Sequence, residues 1–249
     1  MQRYIRFPYI AVAMGLLKEE DRQALKESFE KNLKDIVEIT IFLDNEKNRD
    51  SSNTAKNIIN ELMSLDSRIK AKFVDARSEN GYKLLKEYNL DIDTFGDRRG
   101  PIFIFNKKPE IVYYGLPAGW EFVAFIEDII AISRNEVDLP PKVAEKIAKV
   151  DTPIDIYVFV TPECPYCTHM TQYAHKFAFL NNKIRGVMIN VYEFPELSEA
   201  FHIQAVPKNV IVYNGKSILE WEGAVPEATF VEHIERALVD IKGSSNKHG

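Results

Sequence analysis

The sequence repeats one succession of patterned segments, and this repeat constrains the fold more than any single motif does. Each copy has an apolar segment of β-branched and aromatic residues, then a proline that opens a second apolar segment, and finally an amphipathic helical pattern. The first copy comprises residues 39–43, Pro101 and residues 121–132, and the second comprises residues 156–160, Pro207 and residues 230–241. Such a repeat predicts two units of one plan. A length of 249 residues suffices for two domains of about 100 to 120 residues, each of which buries its own core.

Both cysteines of the chain lie in one short motif, Cys164-Pro165-Tyr166-Cys167, directly after the apolar segment of the second copy. Pro165 suits the first position of a helix because it has no N–H group to leave unpaired. Apolar residues then recur at helical spacing from Cys167, at Met170, Ala174 and Phe177. The pattern predicts that Cys167 faces the core and that Cys164 lies before the helix, where the positive end of the dipole favours a thiolate. We therefore assign Cys164 as the catalytic nucleophile and Cys167 as the resolving thiol.

Other roles for the cysteine pair are weaker. A structural zinc site needs four ligands, so His169 and His175 would have to supply two of them, yet His169 and Cys167 point in different directions on a helix. Covalent haem attachment needs a histidine directly after Cys167, where Thr168 stands. A purely structural disulfide would close too short a ring to stabilise much. An iron–sulfur cluster that bridges two chains stays open as an alternative, but metal-free redox chemistry is the favoured interpretation.

A second signal is the Val206-Pro207 pair at the start of an apolar segment. A proline is tolerated at the first residue of a strand, and this X-Pro bond is a candidate for the cis form. A strand here would lie beside the disulfide, where its backbone would pair with an extended substrate segment by strand addition. We therefore predict Val206 and Pro207 as substrate-binding residues, together with Pro165 and Tyr166 between the cysteines.

The order of these features resembles a thioredoxin-fold unit with the glutaredoxin form of the cysteine motif. The likeness extends over both copies, through the segments 14–17, 114–119, 158–162 and 222–227. Together these segments resemble the protein disulfide oxidoreductases of thermophilic archaea and bacteria, which contain two thioredoxin-like units in one chain. The resemblance implies an α/β fold of two tandem thioredoxin-like units, each a mixed β-sheet flanked by helices.

The resemblance also sets the expected boundaries of the units. It begins at Met14, so residues 1–13 are interpreted as an N-terminal extension. Residues 14–136 would form the first unit and residues 137–243 the second, with a connection stiffened by Pro140 and Pro141. The polar residues 244–249 are expected to be a tail.

The first copy departs from these relatives because it contains no cysteine. Aligning the two copies by their strands places the lost pair near Lys47 and Asp50, whereas aligning them by their helices places it near Arg49 and Ser52. No histidine lies nearby in the sequence to activate a serine hydroxyl. The sequence therefore predicts a redox-inactive first unit. Its retained fold pattern suggests two roles, either binding a partner along a strand beside Pro101 or covering an apolar face of the second unit.

The second copy has departures of its own. Thioredoxin-like proteins often carry a buried acid six residues before the first cysteine, where this chain has Val158, and Asp155 and Glu163 are the candidate substitutes. Glutaredoxins commonly have a lysine three residues before that cysteine and a Gly-Gly turn after the proline strand. Thr161 and Gly223-Ala224 stand at those places, so a glutathione site is less well supported.

The resulting functional hypothesis is a protein dithiol–disulfide oxidoreductase that reduces, forms or exchanges disulfides in protein substrates. A glutathione-dependent glutaredoxin and a non-enzymatic binding module with an incidental disulfide are the alternatives. No cofactor or metal is expected, since no phosphate-loop or dinucleotide motif is present, and a thioredoxin-reductase-type partner would supply electrons. A net charge of −5, with lysine and arginine dispersed among the acids, disfavours nucleic-acid binding.

The N-terminal residues bear on the expected location of the protein. Arg3 and Arg6 precede a short apolar run at residues 7–17, which imitates a signal peptide but is too short to span a bilayer. Because the resemblance begins only after most of this run, we expect a cytoplasmic protein with no membrane partner. A longer loop before Pro101 contains Arg98 and Arg99, which are either partner contacts or solvated side chains.

Overall fold

One eight-stranded β-sheet runs through both halves of the chain. The computed structural model describes residues 17–90 and 99–245, so the expected extension 1–13, Arg98 and the tail residues 246–249 lie outside the described part. The first half contains α1 (Glu19–Asn32), β1 (Val37–Leu43), α2 (Arg49–Leu65), β2 (Ile69–Asp75), α3 (Glu79–Glu87), β3 (Ile102–Phe105), β4 (Lys108–Tyr114) and α4 (Glu121–Arg134). The second half contains α5 (Pro141–Ala148), β5 (Ile154–Val160), α6 (Cys167–Leu180), β6 (Ile184–Asn190), α7 (Pro195–Ala200), β7 (Lys208–Tyr213), β8 (Lys216–Glu222) and α8 (Glu227–Ser245).

The strand order shows that the two halves follow one plan. The sheet reads β2-β1-β3-β4-β6-β5-β7-β8, so each half contributes a block with two parallel strands on one side and an antiparallel hairpin on the other. The blocks join where β4 runs parallel to β6, with Tyr114 opposite Ile189. The predicted fold class and the duplication are therefore confirmed, although the two mixed sheets form one continuous sheet. The proposed boundary between residues 136 and 137 falls between α4 and α5.

Two hydrophobic layers hold the helices to the sheet. The larger layer lies under α1, α2, α4, α5, α6 and α8, and the smaller one lies under α3 and α7. The residues predicted to face inward from α6 do so, since Cys167, Met170, Ala174 and Phe177 are all fully buried. The helical period of the sequence was sufficient to predict this face because burial drives amphipathic helices to turn their apolar stripe inward.

The two halves are also tied together by polar groups between α4 and α6. The Tyr113 hydroxyl donates to Asp128 Oδ2 at 2.5 Å, and His175 Nδ1 lies 2.7 Å from the same oxygen. Burial and the neighbouring Asp128 charge raise the pKa of Tyr113 well above its usual value. The buried hydroxyl therefore stays protonated and keeps its donor role. This network fixes the first half against the helix that carries the cysteine motif.

In both halves, the end of the first strand and the cis proline lie at the same end of the sheet. Strands β1, β4, β5 and β6 all finish there, and the cis bonds Gly100-Pro101 and Val206-Pro207 immediately precede β3 and β7 at that end. We call this the carboxyl end of the sheet. The candidate cis bond at Pro207 is confirmed.

The predicted limits of two helices, the start of α6 and the end of α8, need correction. Helix α6 begins at Cys167 and not at Pro165, because Pro165 and Tyr166 form a turn that leads into the helix. Helix α8 runs from Glu227 to Ser245, whereas the pattern predicted a helix over residues 230–241, and it extends two residues into the expected tail.

Candidate functional site

The two cysteines form a disulfide at the start of α6. Their Cα atoms lie 5.4 Å apart, Cys167 is fully buried, and Cys164 is partly exposed. The Cys167 backbone N–H donates to Cys164 Sγ at 3.2 Å. A hydrogen bond of this kind, at the positive end of a helix, stabilises negative charge on the sulfur. The partly exposed cysteine is therefore also the one whose sulfur accepts a hydrogen bond at the start of the helix.

The structure brings the predicted substrate-binding residues to the same end of the sheet. Pro165 is exposed, and Tyr166 is 67% exposed beside the disulfide. Val206 is partly exposed, while Pro207 is buried and its carbonyl accepts the Gly223 N–H. Among the described residues, no backbone group bonds to the Val206 N–H or to the Val206 carbonyl. Its backbone is thus free to pair with an added strand.

The sequence did not identify Glu121, a buried acid that the first half contributes to this region. Glu121 is the first residue of α4, is 1% exposed, and lies against the Thr168 and Thr171 hydroxyls of α6. Burial raises the pKa of Glu121 to about 7, against the opposing effect of the nearby Thr171 and Thr168 hydroxyls. The Glu121 carboxyl group therefore lies against α6, at the residue that directly follows Cys167.

The start of α4 is held closely against the cysteine loop. The Trp120 N–H donates to Pro162 O at 3.1 Å. Gly119 has φ +61°, and a Cβ at this position would lie 2.2 Å from Pro162 O. A side chain here would therefore both strain the backbone and push the two loops apart. Gly119 permits the close approach that places Glu121 under α6.

The acids that the sequence suggested as substitutes are occupied elsewhere or exposed. Asp155 lies at the opposite end of β5 and forms a bidentate ion pair with Arg185, at 3.0 and 2.7 Å. Glu163 is exposed in the loop. The available signal for Glu121 was an acid set between Trp120 and Phe122 at the start of an apolar helix, but the sequence alone does not show which helix it faces.

The corresponding region of the first half has a hydrogen-bonded turn where the second half has a disulfide. Asp44 Oδ1 accepts the N–H groups of Glu46 and Lys47 at 2.9 and 3.2 Å and the Arg77 Nε–H at 2.9 Å. Burial would raise the pKa of Asp44, but the hydrogen bonds from Arg77 and from the two amides outweigh it and lower the pKa. An ionised carboxylate therefore holds this loop in shape.

Residues of the second half cover this inactive region. Asn48 Nδ2 donates both to Gly100 O and to Glu193 O, each at 2.9 Å. Arg99 forms an ion pair with Glu196. The Gly100 carbonyl is therefore already occupied, which weighs against a partner strand beside Pro101. Arg99, expected to contact a partner or solvent, instead binds the second half.

Glu193 is the buried acid of the inactive region. Its carboxylate accepts the Leu116 N–H at 2.9 Å and the Asn190 amide at 2.6 Å. Burial raises the pKa of Glu193 to about 7, against the opposing hydrogen bonds from Leu116 and Asn190 and the effect of the nearby Ser51 hydroxyl. Glu193 thus resembles Glu121 in environment, but the adjacent helix carries no thiol.

Metal-binding and membrane-spanning features are both missing from the described part of the chain. In residues 17–90 and 99–245, no group of three or more His, Cys, Asp or Glu side chains converges to hold a metal ion. Within the same ranges, no helix is long and apolar enough to cross a membrane.

Comparison with known proteins agrees with this geometry. Residues 154–236 match the protein family described as Thioredoxin domain, from β5 into α8. The first half repeats the same strand order. The chain contains the thioredoxin fold twice.

Two solved structures share this tandem arrangement of thioredoxin-like units. A protein disulfide oxidoreductase from Aeropyrum pernix has a TM-score of 0.73 and 22% identity, over 86% of this chain and 90% of that chain. The alkylhydroperoxide reductase AhpF of Enterococcus faecalis has a TM-score of 0.71 and 22% identity, over 86% and 97% of the two chains. At this identity the likeness shows the fold, and the predicted resemblance in fold is confirmed.

A curated relative shows a more local likeness. The AhpF component of the alkyl hydroperoxide reductase of Pseudomonas aeruginosa is 26% identical over 123 residues, which are 48% of this chain and 23% of the relative. The match therefore spans about a quarter of that relative's length.

Proposed function

We propose that the protein is a dithiol–disulfide oxidoreductase that acts on protein substrates through Cys164 and Cys167. One observation carries the proposal: the partly exposed Cys164 sulfur accepts the Cys167 N–H at the start of α6, at the same end of the sheet as the unpaired Val206 backbone. A nucleophile, a resolving thiol and a strand-pairing edge are the groups that disulfide exchange on an extended segment requires.

The reaction proceeds in two exchange steps. In the reduced enzyme, the Cys164 thiolate attacks one sulfur of a substrate disulfide, forms a mixed disulfide and expels the other substrate sulfur as a thiolate. Cys167 then loses its proton and attacks Cys164 Sγ, which expels the second substrate thiolate and closes the enzyme disulfide. Two protons complete the two substrate thiols, so the substrate is reduced and the enzyme oxidised. The reverse sequence oxidises a substrate dithiol.

Glu121 is suited to exchange the proton of Cys167. The fully buried Cys167 thiol has little access to solvent, and Glu121 lies against the adjacent residue Thr168. A pKa of about 7 lets this carboxyl group accept a proton as Cys167 attacks and return it in the reverse direction. The active site would thus combine cysteines of the second half with an acid of the first.

The electron donor we propose is a thioredoxin-reductase-type protein. The tandem likeness to the alkylhydroperoxide reductase AhpF favours a second candidate role, in which the chain passes electrons from a reductase to a peroxide-reducing protein. Both roles use the same two exchange steps and differ only in the partner. Reduction of the disulfide by a reductase, measured with and without glutathione, separates them from a glutathione-dependent glutaredoxin.

The test is substrate trapping. Cys167→Ser removes the resolving thiol, so Cys164 should accumulate as mixed disulfides with protein substrates, visible on a non-reducing gel. Cys164→Ser should trap none, and equal trapping by both variants would contradict the assigned roles. In the reduced protein, Cys164 should react with iodoacetamide faster than Cys167 and titrate below the free value of about 8.5. A redox potential below about −300 mV would favour a structural disulfide.

A further inference from the structure

Two exposed aromatic side chains lie at the carboxyl end of the sheet. Among the described residues, five large apolar side chains are exposed, and they are Ile36, Tyr166, Leu180, Tyr192 and Val239. The two aromatic members are exposed by 67% and 68%. Tyr166 lies between the cysteines, and Tyr192 lies in the loop between β6 and α7. Exposed aromatic residues grouped at one site commonly mark a contact surface.

The topology places Tyr192 next to the cysteine loop. Strands β5 and β6 are adjacent and parallel, with Val160 opposite Asn190 at their ends. The Val191 N–H donates to Val160 O at 3.1 Å, so the loops after the two strands begin side by side, before α6 and α7 pack on opposite faces of the sheet. Tyr192 is two residues beyond Asn190, and Cys164 is four residues beyond Val160.

The backbone around Tyr192 is fixed, while its side chain is exposed. The Tyr192 N–H donates to Asn190 Oδ1 at 3.1 Å, and the Phe194 N–H donates to Asn190 O at 3.0 Å. The Phe194 ring stacks on Tyr114, with ring centroids 5.3 Å apart. An aromatic side chain on a rigid loop offers contact area with little conformational entropy left to lose on binding.

The anchors of this loop come largely from the first half. The Leu116 N–H donates to the Glu193 carboxylate. The Asn48 side-chain amide donates to the backbone carbonyls of both Glu193 and Gly100 and so links the two segments. Arg99 pairs with Glu196 at the start of α7. The inactive region of the first half therefore fastens the segment that carries Tyr192, in the loop next to the cysteine loop.

We propose that Tyr192 is a specificity-determining residue that contacts the protein substrate, and that the inactive region of the first half holds it in place. The occupant is an extended segment of a folded partner protein that carries an apolar side chain close to its disulfide. This segment pairs with the Val206 backbone while Tyr166 and Tyr192 pack against its side chains. The inference rests on the proposed function, because it assigns the substrate contact of the same site.

The experiment compares Tyr192→Ala with the matched truncation Val239→Ala. Val239 is 69% exposed and lies about three turns along α8, away from the carboxyl end of the sheet. Two probes are used, insulin as a protein disulfide and dithiodipyridine as a small one. Tyr192→Ala should lower kcat/KM for insulin by about 5- to 20-fold through KM, as expected for loss of an interface anchor. Its reaction with dithiodipyridine should stay unchanged, and Val239→Ala should alter neither reaction.

Further variants and outcomes complete the test. Tyr192→Phe should restore the insulin reaction, because the contact is made by the ring. Asn48→Ala, which loosens the loop, should cause a smaller loss with insulin alone. An unchanged insulin reaction in Tyr192→Ala, or equal losses with both probes, would overturn the proposal. Failure of the wild-type protein to react with dithiodipyridine would instead overturn the proposed function, so the two failures are distinguishable.

Discussion

The carboxyl end of the sheet presents two versions of one site. In the second half, the Val206 backbone is unpaired and a partly exposed sulfur lies at the start of α6. In the first half, Asn48 occupies the Gly100 carbonyl, and an Asp44-centred turn stands where the cysteines would be. The first site is therefore both without a thiol and closed. Loss of chemistry and loss of the substrate-binding edge go together in the same unit.

The comparison also shows that the halves depend on each other. Glu121 belongs to the first half but lies against α6, and Glu193 belongs to the second half but lies against the inactive region. Burial gives the two acids the same raised pKa of about 7. Only Glu121 lies against the helix that begins with a cysteine. The proposed proton exchange therefore distinguishes two acids in a similar electrostatic environment.

The largest expected effect comes from moving the thiols between the two sites. Cys164→Ser should lower turnover of dithiodipyridine by at least about 1000-fold, because it removes the nucleophile. Adding Lys47→Cys and Asp50→Cys to that variant should not restore turnover, since Asn48 and the Glu193 segment close the first site. Recovery above about a tenth of the wild-type rate would show that the first site differs only in its missing sulfur.

The next effect tests the two buried acids. The reduced enzyme should release two pyridinethiones from dithiodipyridine in two phases, and the second phase reports the attack by Cys167. Glu121→Gln should slow that second phase by about 10- to 100-fold and remove its pH dependence near 7. Glu193→Gln, the matched control, should leave both phases unchanged. Equal slowing by both substitutions would assign Glu121 a structural role only.

A smaller effect concerns stability against pH. A carboxyl group with a pKa raised from 4.5 to about 7 keeps its proton in the folded state where the unfolded state has lost it. The free energy of unfolding should therefore fall as the pH rises from about 4.5 to about 7, by about 1 to 3 kcal/mol for each acid. Urea unfolding of the oxidised protein at pH 5 and pH 8 measures this change. The double variant Glu121→Gln, Glu193→Gln should have a flatter dependence, and an unchanged slope would contradict the buried ionisations.

The smallest effect is expected at the turn of the inactive site. Asp44→Asn weakens the ion pair with Arg77 and should lower the free energy of unfolding at pH 7 by about 1 to 2 kcal/mol. Because the pKa of Asp44 is lowered in the fold, this stabilisation is present above the unfolded pKa and is lost as the pH falls through the folded pKa. The dithiodipyridine reaction should change by less than about twofold. A larger change would show that the first site communicates with the disulfide.

Much of the fold followed from local patterns. The strands β1 and β5, the inward face of α6 and the prolines before β3 and β7 lie where their periodicity and positions predicted. The start of α6 at Cys167 was missed by two residues and the end of α8 at Ser245 by four, because a turn or fraying end is set by nearby contacts as well as by propensity. The joining of the two halves through β4 and β6 was not predicted, since both strands read as ordinary apolar segments.

The sequence by itself determined the duplication, the placement of the single cysteine pair and the inward orientation of Cys167. These are short-range properties, fixed by the periods of strands and helices and by the spacing of two residues along one chain. The tertiary structure alone decided that Glu121 faces α6, that Asn48 and Glu193 close the inactive site, and that the loop of Tyr192 starts next to the cysteine loop. Each of these depends on which elements pack together across about 25 to 150 residues, and a side-chain pattern encodes the face that is buried but not the partner that buries it.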